Sequence, residues 1–303
     1  MSEFIKLKKI QIVHSHYSRD LWTIVPALKN FPSIPLFLTK HIGTQKAKKD
    51  IFHKKIYERV DKVLANSRVI YGNILNTHPV KRSQVDLFHI GVDTDKFKPN
   101  PAARVKIRRE FSIPESALVI GIAGRLQRAK GYFEFLEMAA RLSRNTAAAY
   151  FLLIGGTSRG EEGEAERIRK KADELNLGNR LIFTGFRKDL EQVLQALDIF
   201  VFPSYAEAYG LVVLEAMASG LPVVSSDCDG ILDIVVAGKT GELVPPKNTD
   251  ELTQRVQKLI EEPDLRKKYG KNGRDRVKET FGFEKMLDKL EGYYRTNLSE
   301  KQI

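Results

Sequence analysis

The sequence predicts an α/β protein of two domains built on parallel sheets. Three observations carry this reading. The 303 residues suffice for two domains of ordinary size. After about residue 113, short apolar runs alternate with amphipathic stretches, the pattern of a parallel sheet covered on both faces. Between Lys98 and Ala103 the chain carries two prolines and no apolar periodicity, which reads as a linker.

In the first third, strands are expected at 10–14, 34–39, 63–67 and 85–90. A short helix is expected at 20–29 and a longer one from Gln45 to Val60. In that longer stretch Phe52, Ile56, Val60 and Val63 recur at helical spacing, with lysines at 46, 48, 49, 54 and 55. Beyond the linker, apolar runs at 118–122, 150–154, 180–184, 199–202 and 222–225 read as strands. Helix-like stretches fall at 131–143, 161–175, 189–196, 210–219 and 248–261. A last helix near 283–297 places Phe283, Met286, Leu287, Leu290 and Tyr294 on one face, which needs a partner surface.

Composition bounds the function. A hydrophobic fraction of 42% and a charged fraction of 29% suit a globular protein, and no apolar run is long enough to span a bilayer or to form a signal peptide. The single cysteine, Cys228, excludes an internal disulfide framework, fits a reducing compartment and is expected in the core. The net charge of +12 is uneven: residues 1–100 hold 18 Lys and Arg against 8 Asp and Glu, and all six histidines. A basic first third suits an anionic partner such as a phospholipid surface or a phosphorylated acceptor. A solvated surface remains the plain alternative, and no nucleic-acid recognition motif accompanies the charge.

The segment 198–220, DIFVFPSYAEAYGLVVLEAMASG, holds the most chemistry. A strand ends at Pro203, a loop follows, and a helix begins at Gly210 and stops at Gly220-Leu-Pro222. The unpaired N–H groups of a helix start are a seat for phosphate. Glu207 precedes that seat and Glu215 follows it within the helix. Carboxylates beside a diphosphate repel it unless they bind hydroxyls, so the pair points to a sugar and a ribose; two ligand-free glutamates are the alternative. A second segment, GIAGRLQRAKG (121–131), carries Arg125 and Lys130 after a strand. Both can neutralise a diphosphate. The spacing of Gly121, Gly124 and Gly131 matches neither a Walker A loop nor a dinucleotide fingerprint.

Together with GVDTDKF (91–97), LIGG (153–156), FTGFRKDL (183–190) and SSDCDGILDIVVAGKTGELVPP (225–246), these segments closely resemble the retaining family 4 glycosyltransferases. That family has two Rossmann-like domains in the GT-B arrangement. The Glu207-x7-Glu215 pair resembles its hallmark, although Ala208 and Tyr209 depart from the usual residues there. The resemblance implies a nucleoside-diphosphate sugar as donor and no metal or other cofactor; Asp93-Thr94-Asp95 falls in the interdomain turn and is not taken as a metal motif. It implies that Arg125 and Lys130 grip the diphosphate and stabilise its departure. Glu207 would lie beside the donor sugar, and Glu215 on the ribose. Backbone amides at Tyr209, Gly210 and Leu211 would hold the distal phosphate and sugar, with the Tyr209 hydroxyl also within reach of the ligand. Gly124 belongs to the donor loop, and Phe186 and Arg187 lie near the base.

The front is expected to be shortened. HSHYSRDLWTIVPAL (14–28), FLTKHIGTQ (37–45) and DKVLANS (61–67) resemble the middle of the family's N-terminal domain, whose opening strand and glycine loop are missing. The expected organisation is a partial acceptor-side domain at 1–98, a linker region at 99–112 and a complete donor domain at 113–282. A helix at 283–303 then crosses back. His41 aligns with a family histidine near the donor sugar, with a core histidine as the alternative. His14 and His16 share a strand face but lack further metal-ligand spacing. Tyr17, Ser18, Arg19 and Asp20 are the acceptor-side candidates.

The expected activity is hexosyl transfer to a hydroxyl of a glycolipid or cell-surface polysaccharide precursor. It is expected in the cytoplasm or at the inner face of the membrane, with an anionic membrane surface and a second copy of the chain as candidate partners. A nucleotide-sugar-binding protein with little transfer activity, or one needing a partner subunit, is the alternative.

Overall fold

The structure, a computed structural model, describes residues 1–145 and 149–301, so the last two residues of the expected 283–303 helix lie outside it. The chain divides into two compact units. One joins Met1–Gly91 to the stretch from Phe283 onward, and the other is Val92–Gly282.

In the first unit β1 (Val13–Ser15), β2 (Leu36–Lys40), β3 (Lys62–Ala65) and β4 (Val85–Leu87) lie in that order, all parallel. Every residue of β2 is buried, which explains its continuous apolar run rather than an alternating one. The helix Phe283–Glu300 is part of this unit. Tyr294 packs edge-on against Phe37 and its hydroxyl lies 2.6 Å from His14 Nδ1. Lys289 Nζ donates to the carbonyl of Leu87, and Lys301 Nζ pairs with Asp61 at 2.7 Å. Phe283 and Leu287, expected on the buried face, remain exposed; Met286 and Tyr294 of that face make contacts, joined by Tyr293, which was not assigned to it.

The expected helix from Gln45 to Val60 is shorter, Ile51–Glu58. Asp50 sets its start by accepting hydrogen bonds from the amides of Phe52 and His53. Ile56 and Val60 are buried as the spacing predicts, but Phe52 is 67% exposed.

The second unit contains β5 (Leu118–Ala123), β6 (Ala149–Ile154), β7 (Leu181–Gly185), β8 (Ile199–Phe202), β9 (Val223–Ser226) and β10 (Gly241–Val244). Their spatial order is β10-β9-β8-β5-β6-β7, all parallel. The chain winds outward from β5 through β6 to β7, then returns to the other side of β5 with β8. The strand order therefore reverses between β5 and β8, and the loops leaving their carboxyl ends diverge around a crevice.

The expected linker region at 99–112 is corrected: it holds the helix Pro101–Glu110. Asn100 caps it by accepting from the amide of Ala103, and Pro101 occupies the first turn, where its missing N–H costs nothing. The same prolines that read as a linker are thus a helix start. Its anchor is Arg108, 1% exposed. The guanidinium donates to the carbonyls of Ala196, Glu115 and Ala117 and pairs with Asp198 at 2.8 Å. Asp198 also pairs with Arg104 and accepts from the amide of Val119.

A helix not anticipated, Pro263–Thr280, packs on the helix Leu211–Ala218. Its polar sequence hides the packing signal in its glycines: a Cβ at Gly270 would stand 2.2 Å from the carbonyl oxygen of Gly220. Among the described residues, no helix is long and apolar enough to cross a membrane.

Asp198→Ala leaves the Arg108 charge buried without its carboxylate. Urea denaturation is expected to show a loss of about 3–5 kcal/mol, typical of a broken buried pair, whereas a change below ~1 kcal/mol would mean the carbonyls alone hold Arg108.

Candidate donor site in the second unit

Two loops at the switch point form the site. The first leaves β5 through Gly124, whose carbonyl accepts from the Tyr132 hydroxyl at 2.8 Å. It continues through Arg125 to a short turn, Arg128–Lys130, and Gly131. Gly131 has φ +77°, and a Cβ there would stand 2.0 Å from the Pro203 carbonyl oxygen. Only glycine allows this approach. The second loop leaves β8 and is stitched to the first: the amide of Tyr205 and the hydroxyl of Ser204 donate to the carbonyl of Ala129.

This stitching brings Lys130 to Glu207, with Nζ 2.6 Å from Oε2. Both side chains are mostly buried, so the pair is shielded from water and directional. The other oxygen of Glu207 lies 3.4 Å from the amide of Tyr209. The backbone of Glu207 is held too, its amide donating to Asp229 and its carbonyl accepting from Gly230. Gly210, at φ +91°, then turns the chain into the helix Leu211–Ala218, which has no side-chain cap.

A cavity of about 450 Å³ opens at the carboxyl ends of β5, β6 and β7. Gly124, Arg125, Phe186, Arg187 and Glu215 contribute to its wall. Lys130, Glu207, Tyr209, Gly210 and Leu211 are not part of that wall; they form the adjoining turn and helix start, while Val212 from the same helix does line it. Tyr209 is 4% exposed, so its side chain belongs to the core rather than to an open surface. Gly155, Gly156, Thr157, Ser158 and Leu190 also line the cavity and were not assigned roles from sequence. The glycine pair after β6 was the available signal, since it lets the amide of Leu126 reach the Gly156 carbonyl at 3.0 Å.

The charges around the cavity are individually restrained. Arg125 pairs with Glu161 at 3.1 Å and is 57% exposed on its side chain. Arg187 is clamped by Asp189 at 2.8 Å and by Glu110. Hydrogen bonds to those two carboxylates raise its already high pKa. Glu215 differs: burial pushes its carboxyl up to about 7, against a smaller downward pull from Lys96. Near neutrality it can therefore both donate and accept a hydrogen bond. Cys228 is buried, and burial pushes its thiol up to about 12, leaving it unreactive. Asp93 caps its own turn, accepting from the amides of Asp95 and Lys96 at 2.9 Å.

The remaining candidates lie at the carboxyl ends of β1 and β2 in the first unit. His16 Nδ1 is 3.0 Å from His41 Nε2, and His14 stacks on His16 at 4.6 Å. Burial, then the charges of His16 and His41, push His14 down to about 4, so it is neutral at pH 7. His41 is also lowered, first by burial. Tyr17 is 68% exposed, Arg19 is exposed, and Asp20 precedes the helix Leu21–Ala27 without capping it. Ser18 accepts from Lys40 Nζ at 2.9 Å. Lys40 was missed from sequence: it is 7% exposed, and burial followed by the nearby Lys48 lowers it to about 8. Its signal was a lysine ending an apolar strand.

Two parallel-sheet α/β units, one with a crevice at its switch point, are the Rossmann-like sets of a GT-B glycosyltransferase fold. Residues 103–276 match the model of the family described as glycosyl transferases group 1, and residues 1–96 match that of glycosyltransferase family 4. The chain belongs to the glycosyl transferases group 1 family. It is 31% identical over 277 residues to the D-inositol 3-phosphate glycosyltransferase of Corynebacterium jeikeium, covering 84% of this chain. It spans 65% of that relative's length, less than two thirds. Sucrose-phosphate synthase from Thermosynechococcus elongatus superposes with a TM-score of 0.83 at 26% identity, covering 98% of this chain and 76% of the other. The Anabaena protein HepE, solved with UDP and glucose, shares the fold at TM-score 0.84 and 21% identity, covering 93% and 77%.

The raised carboxyl of Glu215 carries a pH signature. The folded state favours its protonated form, so its stabilising contribution is present below pH ~4.5 and is lost as pH rises through about 7. Glu215→Gln is expected to raise the melting temperature by a few degrees at pH 8 and to leave it unchanged at pH 4. Equal shifts at both pH values would mean that the carboxyl is not perturbed.

Proposed function

We propose that the chain is a retaining hexosyltransferase that uses a nucleoside-diphosphate sugar. The observation that carries this reading is the Lys130–Glu207 pair at 2.6 Å beside an uncapped helix start at the switch point. A cation held by a carboxylate there offers one charge to a diphosphate while the carboxylate faces sugar hydroxyls. Arg125, 57% exposed, supplies the second cation by exchanging Glu161 for phosphate oxygen. Backbone amides from Tyr209 to Leu211 hold the distal phosphate and sugar. Glu215 takes the ribose hydroxyls, and Phe186, 76% exposed, stacks near the base beside Arg187.

In the proposed reaction the bond from the sugar anomeric carbon to the diphosphate oxygen breaks. The acceptor oxygen bonds to that carbon on the same face, and its proton passes to the departing phosphate. Lys130 and Arg125 stabilise the charge that develops on the diphosphate, so no metal is required of the site. UDP bound to HepE supports uridine nucleotides as the first donors to test. His41 lies beside the donor sugar, and the acceptor hydroxyl, met by Tyr17, Ser18, Arg19 and Asp20, belongs to a glycolipid or cell-surface polysaccharide precursor, with catalysis in the cytoplasm. A donor-binding protein that transfers only with a partner subunit is the second reading. It is favoured by the placement of every donor residue except His41 in one unit.

Calorimetric titration with UDP, GDP and ADP and their sugars, followed by a donor-hydrolysis assay, tests these readings. Binding with hydrolysis supports the transferase; binding without hydrolysis supports the second reading; no binding overturns both. Lys130→Ala is expected to lower turnover on the order of 100- to 1,000-fold, as when one transition-state donor is lost, with a smaller effect on affinity. Glu215→Ala is expected to weaken nucleotide binding roughly tenfold or more, as for a lost hydrogen bond to a charged group. Turnover is expected to survive EDTA.

A further inference from the structure

The first unit carries a surface that neither the donor site nor the acceptor candidates explain. Trp22 is 47% exposed, on the helix Leu21–Ala27. Its indole meets His53 edge-on at 5.3 Å, so this helix packs beside Ile51–Glu58. At the start of the latter helix Ile51 is 64% and Phe52 67% exposed. Three large apolar side chains on two adjoining helices therefore face solvent, which isolated surface residues do not require and an interaction surface does.

The segment 46–55 that leads into the second helix is strongly basic, with Asp20 and Glu58 among the exposed acids on or beside the two helices. Lys46, Lys48, Lys49, Lys54 and Lys55 lie within ten residues of chain, accompanied by a single acid, Asp50. Asp50 is already committed to His53 at 2.5 Å and to the helix cap. Among the described residues, none of the five lysines is held in an ion pair. A protein partner's apolar patch would leave these lysines without counter-charge. Nucleic acid would meet the lysines but leave Ile51 and Phe52 against water. A bilayer with anionic headgroups satisfies both, because apolar side chains enter the headgroup–acyl boundary while lysines stay at the phosphate level.

We propose that Trp22, Ile51 and Phe52, together with the lysines of segment 46–55, seat the first unit on an anionic lipid surface. The seat does not depend on the hexosyltransferase reading; if that reading holds, the seat delivers the enzyme to a lipid-borne acceptor.

Trp22 is the chain's one tryptophan, so its emission reports this surface directly. The full chain is mixed with phosphatidylcholine vesicles containing or lacking 30% phosphatidylglycerol (roughly physiological anionic charge), at low and high salt. Fluorescence and cosedimentation are recorded, and brominated lipids serve as quenchers. The expected result is a blue shift and quenching with anionic vesicles only, reversed by salt. Phe52→Glu should abolish the shift, and replacing Lys46, Lys49 and Lys54 together by Gln should weaken partitioning on the order of 100-fold, at roughly fivefold per charge. Circular dichroism and UDP calorimetry on the same variants should match the parent, which separates loss of the seat from misfolding or a failed donor site. Absence of binding, binding that leaves Trp22 unquenched, or a shift produced by RNA and not by vesicles would each overturn the proposal.

Discussion

The second unit depends on one topological constraint, the reversal of strand order between β5 and β8. In a parallel sheet each crossover returns the chain to the same edge, so all loops after strands gather on one side. Where the winding changes direction, two such loops part and leave room for a ligand. Here the parting is narrow because Gly131 lies against the Pro203 carbonyl. That contact sets the register of the two loops, and with it the distance from Lys130 to Glu207.

The electrostatics follow from this geometry. Lys130 and Arg125 each have a carboxylate partner, yet they differ in mobility: Lys130 is mostly buried with Glu207, whereas Arg125 is largely exposed beside Glu161. A buried pair gives direction; an exposed pair is worth little and exchanges readily. Glu215 supplies the complement. Half-buried at the cavity wall, with only the weaker pull of Lys96 against desolvation, it is nearly balanced between its two protonation states at neutral pH.

The first unit shows the opposite polarity. The carboxyl ends of β1 and β2 carry His14, His16, Lys40 and His41, and burial lowers His14, Lys40 and His41. Lys40 finds hydroxyl oxygens, Ser18 at 2.9 Å and Thr44 at 3.4 Å, instead of a carboxylate. Desolvation without a counter-charge keeps such a group responsive to anions and to pH.

The sequence alone determined the α/β class and most strands of the second unit, because buried parallel strands are apolar runs; it also singled out Arg125, Lys130, Glu207 and Glu215 in the loops and helix that follow them. It did not determine that 101–110 is a helix: prolines mark both linkers and helix starts, and only Arg108 reaching Asp198 decides between them. Nor did it reveal the helix Pro263–Thr280, which buries only Tyr269 and Val277 among its larger apolar side chains and owes its close approach to the absent side chain at Gly270. Lys130 and Glu207 are 77 residues apart; their 2.6 Å contact exists because two loops from adjacent strands are stitched together. Residue type and local spacing are written along the chain, whereas burial, pairing and the shift of Glu215 arise from neighbours that only the folded sheet supplies.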